Sequence, residues 1–215
     1  MRETVIQSIV KEKLIAIVRN VEEQSILPLA KALRAGGIRM IEVTFDQKRP
    51  ESFAKTARMI ETLRSEMEDI LPGAGTVMSE AQLELAQRAG ALYCISPHTD
   101  AGLIAQTRER GLVSLPGALT PSECAAAHAA GADFIKIFPA GDMGPGYVKA
   151  LCAPLGHLKF LGVGGIDEKN CVDYLRAGVV GFGIGGNLVN REWIAAGEFD
   201  KITALAGMYV KAVKG

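Results

Sequence analysis

Residues 158–186 read LKFLGVGGIDEKNCVDYLRAGVVGFGIGG, a stretch that holds one whole structural unit and the start of the next. Leu158–Gly165 is a short apolar run ending on glycines, Glu168–Ala177 follows with helical spacing, and Ala177-Gly178 supplies a helix stop before the next run, Val179–Gly186. Runs that are apolar on both parities suit strands covered on both faces, as in a parallel sheet with its crossover helices packed against it. Towards the N-terminus the unit recurs. Apolar runs at Leu14–Val18, Met40–Phe45, Ile70–Val77, Leu92–Pro97, Leu112–Gly117 and Phe134–Pro139 complete a set of eight. They are spaced by roughly 20–30 residues, the length of a compact strand-plus-helix unit. Helical segments at Ile26–Ala35, Glu80–Ala89 and Ser122–Ala130 lie between them, and Ala35-Gly36, Ala89-Gly90 and Ala130-Gly131 repeat the stop, where glycine takes the left-handed conformation freely. Eight units in series predict an α/β fold, a (β/α)8 TIM barrel forming a single domain over residues 1–215. A doubly wound open sheet is the other architecture these elements can build. Ser8–Lys11 is assigned to an extra N-terminal helix capping the bottom of the barrel, and Lys201–Val213 to the last outer helix.

Composition narrows the function classes. The 215 residues are 48% hydrophobic and 22% charged, as in a globular protein with a sizeable core. Lysine plus arginine equals aspartate plus glutamate at 24 each, and without a basic block no nucleic-acid partner is expected. No apolar stretch is long enough to span a bilayer, and charges at Arg2, Glu3, Lys11, Glu12 and Lys13 do not read as a signal peptide, so the expected location is the cytoplasm, away from membranes. Cys94, Cys124, Cys152 and Cys171 form no C-x-x-C pair and are expected to be free thiols. His98, His128 and His157 fall in unrelated units without metal-ligand spacing, so no metal is expected; His98, after the fourth run, is placed where it can face a pocket.

In a barrel, chemistry sits at the C-terminal ends of the strands. Three charged residues stand there: Arg19 closing the first run, Glu42 inside the second and Lys136 inside the sixth. A lysine in an apolar strand is either paired or useful, and burial disfavours its ammonium form, leaving a neutral amine able to attack a ketone. Glu42 in Met40-Ile-Glu-Val-Thr-Phe45 fits the proton shuttle that such an amine requires. The structural alternative, a buried salt bridge, is a poor energetic reason to keep two charges inside. The seventh and eighth runs end in Gly162-Val-Gly-Gly165 and Gly183-Ile-Gly-Gly-Asn187, the strands after which barrels often bind phosphate through backbone N–H groups, with Asn187 a further donor. Gly73-Ala-Gly-Thr-Val77 lacks the third glycine of a dinucleotide loop.

Taken in order, Glu42-Val-Thr, Gly73-Ala-Gly-Thr-Val77, Ile95-Ser-Pro97, Lys136-Ile-Phe-Pro139, Gly164-Gly165-Ile166 and Ile184-Gly-Gly186 resemble the motifs of the bacterial KDPG/KHG aldolases. These are class I enzymes cleaving 2-keto-3-deoxy-6-phosphogluconate or 4-hydroxy-2-oxoglutarate to pyruvate and an aldehyde. The resemblance covers nearly the whole chain. It implies a Schiff base on Lys136, a proton shuttle in Glu42, and Thr76, Pro97 and Phe138 around the pyruvyl group. It further implies backbone binding of the distal phosphate by Gly164, Gly165, Gly185 and Gly186, no metal or cofactor, and a homotrimer. Two departures stand out. Phe45-Asp46-Gln47 replaces the Leu-Arg-Thr of the gluconate type, whose arginine meets the substrate carboxylate, and Asn187 replaces its phosphate-side serine. Arg19, as in the related 2-keto-3-deoxy-6-phosphogalactonate branch, is able to supply a bidentate clamp instead. Two other functions fit the same residues: a phosphate-binding barrel isomerase or synthase without imine chemistry, and a non-catalytic sugar-phosphate binder in which Lys136 and Glu42 merely pair.

Overall fold

A computed structural model describes residues 1–215. The chain runs α1 (Arg2–Glu12), β1 (Leu14–Val18), α2 (Ile26–Ala35), β2 (Met40–Thr44), α3 (Phe53–Glu66), β3 (Leu71–Gly75), α4 (Glu80–Arg88), β4 (Tyr93–Ile95), α5 (Ala101–Glu109), β5 (Val113–Leu115) and β6 (Gly117–Ala118). It continues through α6 (Pro121–Ala129), β7 (Ile135–Ile137), α7 (Ala140–Cys152), β8 (Phe160–Val163), α8 (Cys171–Ala177), β9 (Gly181–Ile184), α9 (Arg191–Ala195) and α10 (Phe199–Lys214). All strand pairs are parallel, in the order β5-β4-β3-β2-β1-β9-β8-β7-β6. The two ends of that order, β5 and β6, are consecutive in the chain, so the sheet is a barrel and not a doubly wound open sheet.

The apolar run Leu112–Gly117 is therefore two strand pieces rather than one. Pro116 has no N–H to give a neighbour, and the ladder breaks there. The first piece pairs with β4 and the second with β7, while Pro116 O still accepts from Lys136 N at 2.9 Å. The strands are buried on both faces, as the apolar runs predict. Strand parity divides the core. Ile15, Met40, Tyr93, Val113, Phe134 and Leu161 form an inner cluster with Val5, Ile6 and Ile9 of α1, which plugs the bottom of the barrel. Leu14, Ala16, Ile41, Val43, Ile135 and Ile137, on the other parity, join the larger cluster with the outer helices. An Arg2–Asp133 ion pair and a bond from Lys13 Nζ to Val213 O at 3.1 Å tie the plug region to the barrel.

The helix stops hold at Gly90, Gly131 and Gly178, with φ of +83°, +101° and +116°. At Ala35-Gly36 the left-handed residue is Gly37 (φ 93°) instead. Gly36 serves close packing: a Cβ there would sit 2.4 Å from Ala206 Cβ and 2.6 Å from Thr203 O of α10. The segment predicted as helix from Glu168 begins only at Cys171, because the Asp167 carboxylate accepts from Lys169 N and Asn170 N and closes a separate turn first. No helix is long and apolar enough to cross a membrane.

Candidate active site

Glu42 and Lys136 share the parity of the inner cluster. Glu42 follows Met40 by two residues on β2 and Lys136 follows Phe134 by two on β7, so each stands one layer above the apolar plug, facing the barrel mouth. Room for Glu42 comes from Gly75 of β3, and room for the Tyr93 ring beneath it from Gly73. A Cβ on Gly75 would lie 1.6 Å from Glu42 Oε1, and one on Gly73 would lie 2.1 Å from the Tyr93 ring. The pattern Gly73-Ala-Gly75 is thus a space requirement, with no bearing on dinucleotides.

Both charged groups are buried, Glu42 to 1% and Lys136 to 7% exposure. Burial dominates both: it raises the Glu42 carboxyl above its ordinary value, against the lowering influence of Lys136 and Arg19. It lowers the Lys136 ammonium, with Glu42 opposing and Arg19 assisting. Each group is pushed towards its neutral form. Glu42 Oε2 is buried without a hydrogen-bond partner, and no ion pair within 4.0 Å links the two residues. A structural salt bridge would have joined them; these side chains instead flank open space. The Phe138 ring lies 4.8 Å from Lys136 Nζ, a contact that favours the ammonium form but is worth only about 0.5–2 kcal/mol.

That space is a cavity of about 420 Å³. Glu42, Lys136, Arg19, Thr76, Pro97, Phe138, Gly164, Gly165, Gly185, Gly186 and Asn187 all line it. Every site residue expected from the sequence is therefore brought to one place. His98 is not among the lining residues; only its carbonyl has a clear task, accepting from Ser96 Oγ at 2.9 Å. On one wall Arg19 Nη2 donates to Thr76 Oγ1 at 3.2 Å. Thr76 has φ 54°, a backbone state costing about 1–3 kcal/mol for a β-branched residue, and it ends β3 two residues before the predicted run does. On the opposite wall Gly164 and Gly165 have φ of +87° and +70°. Gly185 O accepts from Leu188 N and Val189 N, closing one turn in which Gly186 N and Asn187 N have no backbone acceptor and are free to meet an anion. One N–H of Asn187 is committed to Ile166 O at 3.0 Å, which ties the two glycine loops together.

Sequence reasoning missed Ile17, Val163, Ile166 and Gly183, which complete the lining; Ile17, Val163 and Gly183 are inward positions on their strands, invisible while both parities are apolar, and Ile166 follows the glycines after β8. It also missed Gln47 and Gln82 behind the Thr76 wall, although a glutamine on the apolar face of α4, beside Leu83 and Ala86, was a readable signal. Asp46, the odd carboxylate after β2, does not enter the cavity. It accepts from Lys48 N at 3.0 Å and Arg49 Nε at 2.8 Å, beside a smaller cavity of about 180 Å³. The four cysteines are free and buried, and burial raises all four thiols, Cys94 to about 12, which favours the less reactive protonated form. No cluster of three or more metal-ligating side chains occurs.

Fold and cavity together define a class: a (β/α)8 barrel enzyme with a buried lysine and carboxylate beneath an anion-ready rim. Comparison with known proteins gives the particular family. The model of the KDPG and KHG aldolase family matches residues 5–205, and the chain belongs to that family. It is 37% identical over 177 residues, 81% of each chain, to a probable 2-dehydro-3-deoxy-6-phosphogalactonate aldolase of Rhizobium meliloti. It is 32% identical over 212 residues, 98% of each chain, to the 2-dehydro-3-deoxy-phosphogluconate aldolase of Treponema pallidum. Among solved structures, the KDPG aldolase of Legionella pneumophila, with pyruvate captured as a covalent carbinolamine, superposes with a TM-score of 0.84 at 30% identity, covering 96% of this chain and 97% of that one. The chain is an aldolase, a carbon–carbon lyase.

Proposed function

We propose that this aldolase works through a Schiff base on Lys136, cleaving a 2-keto-3-deoxy-6-phospho sugar acid, or 4-hydroxy-2-oxoglutarate, to pyruvate and an aldehyde. One observation carries the reading: Lys136 and Glu42 are buried, unpaired with one another and each driven towards neutrality at the edge of the same cavity. A neutral Lys136 Nζ adds to the C2 ketone, and the protonated Glu42 carboxyl gives its proton to the departing hydroxyl of the carbinolamine, so that water leaves and a protonated imine and a Glu42 carboxylate remain. Glu42 takes the C4 hydroxyl proton, the C3–C4 bond breaks, and its electron pair moves into the imine to give an enamine while the aldehyde departs. Protonation at C3 by Glu42 and addition of water then release pyruvate and restore the amine.

Arg19 and Thr76 are assigned to the carboxylate, and Pro97 and Phe138 to the sides of the pyruvyl group. Gly164, Gly165, Gly185, Gly186 and Asn187 take the distal phosphate. The chain uses no metal and acts as a homotrimer, as the family resemblance implies, and its assigned location is the cytoplasm. Borohydride added with pyruvate is expected to give a covalent adduct on Lys136, and Lys136→Ala to give none. An unlabelled wild type, or a variant that labels equally well, sinks the proposal in favour of a barrel enzyme without imine chemistry. Pyruvate release from the gluconate and galactonate epimers and from 4-hydroxy-2-oxoglutarate, compared side by side, identifies the substrate.

A further inference from the structure

An unbroken line of hydrogen bonds joins the interior of the outer layer to the cavity wall, and the reaction above gives its two glutamines, Gln82 and Gln47, no task. It begins at Gln82 in α4, only 1% exposed. Gln82 Oε1 accepts from Met78 N at 2.7 Å, and Gln82 Nε2 donates to Gln47 Oε1 at 3.0 Å. Gln47 Nε2 in turn donates to Thr76 O at 2.7 Å, and Thr76 Oγ1 accepts from Arg19 Nη2. The direction of the line is fixed at both ends, by a backbone donor at Met78 and a backbone acceptor at Thr76. Neither carboxamide can turn over without setting like against like. The loop that carries Gln47 is itself shaped by Asp46, whose carboxylate holds Lys48 N and Arg49 Nε while its carbonyl accepts from Arg49 N at 3.0 Å.

The far end of the line is a residue that needs holding. Thr76 is left-handed at φ 54°, and the bond from Gln47 fixes the peptide carbonyl of that strained residue. Because the Thr76 hydroxyl accepts from Arg19, its own proton remains free to donate into the cavity. Guanidinium and hydroxyl then present their donors to one oxyanion group from a common wall.

We propose that Gln47 is a positioning residue for the carboxylate of the 2-keto acid, holding Thr76, and through it Arg19, in register for that group. The inference rests on the assignment of Arg19 and Thr76 to the carboxylate made above. It gives the segment Phe45-Asp46-Gln47, where the gluconate type carries its own arginine, a function in this chain: the segment braces a clamp supplied by β1.

Gln47 is exposed, so Gln47→Met, which keeps the length and removes the hydrogen bonds, leaves the core untouched. In borohydride trapping with pyruvate, the half-saturating concentration is expected to rise about tenfold, one hydrogen bond's worth or about 1.4 kcal/mol, with the maximal trapping rate within about twofold of wild type. Gln82→Met, cutting the line at its other end, is expected to move the same quantity in the same direction. Arg19→Ala should raise half-saturation further, and adding Gln47→Met to it should do little more, because both act on one contact. An unchanged half-saturation in Gln47→Met beside a raised one in Arg19→Ala overturns the positioning role alone, as does full additivity in the double variant. An unchanged half-saturation in Arg19→Ala overturns the carboxylate assignment itself.

Discussion

Glu42 and Lys136 show what a barrel interior does to a charge. Neither has a direct ionic partner, so desolvation governs both, and the molecule carries a carboxyl that resists ionising beside an amine that resists protonation. The linkage sign for Glu42 follows from its raised value. Between pH 4.5 and its folded value the native state holds more protons than the unfolded one, so this group's contribution to stability falls as pH rises through that window. Glu42→Gln removes a costly buried charge while keeping the shape. Turnover is expected to drop by about 10²–10⁴, the range for loss of a general acid–base. Stability at pH 7 is expected to equal or exceed that of wild type, with the difference shrinking as pH falls towards 4.5. Thermal melting of both proteins across that range checks it; a variant clearly less stable at pH 7 would mean that Glu42 supports the fold. Lys136 has the complementary consequence: its lowered value places the midpoint of pyruvate trapping below pH 10.5. Both residues were legible because a charge inside an apolar run stands out. Their unpaired state was not, since it depends on Gly75 of β3 and on which parity faces inward.

At the scale of elements, the repeat of strand, helix and Ala-Gly stop was readable because each part is local chemistry: apolar runs, helical spacing and a residue without a Cβ. What failed were the places where distant contacts overrule local preference. Pro116 splits a run that looks continuous, because its missing N–H matters only once β4 and β7 are known to flank it. Gly36 looks like the other stops but is set by α10, which crosses α2 closely enough that Thr203 Oγ1 donates to Ala32 O at 3.0 Å. Gly36→Ala is therefore expected to act as an overpacking substitution, costing about 1–3 kcal/mol. For a chain of this length that lowers Tm by roughly 2–12 °C, on a scale of about 2–4 °C per kcal/mol. The same change at Gly186, where a Cβ would meet nothing within 4 Å, is expected to leave Tm nearly unchanged and serves as the control. If the two variants melt together, the α2–α10 contact is not what selects glycine at Gly36.

The whole molecule is organised so that its bottom is packed and its mouth is not. Val5, Ile6 and Ile9 of α1 fill the lower barrel, whereas the upper barrel holds an open cavity, an unpartnered Glu42 oxygen and a left-handed Thr76. The sequence pointed to the mouth through strand-end residues, since a closed parallel barrel leaves them nowhere else to converge. The wall behind Thr76 stayed hidden because it is made by a loop and a helix far apart in the chain. Such a division of labour predicts that a ligand stabilises the protein as a whole. Pyruvate fixed on Lys136 would give Arg19 and Thr76 a carboxylate and bring polar atoms to the orphaned Glu42. A one-site ligand at a hundred times its Kd adds about 2.7 kcal/mol, or roughly 5–11 °C in Tm for a chain of this length. A covalent adduct trapped by borohydride should do at least as well and keep its effect after dialysis. Lys136→Met should show neither a lasting shift nor an adduct. A lasting shift of equal size in that variant would place the stabilising site elsewhere on the molecule and remove Lys136 from the chemistry.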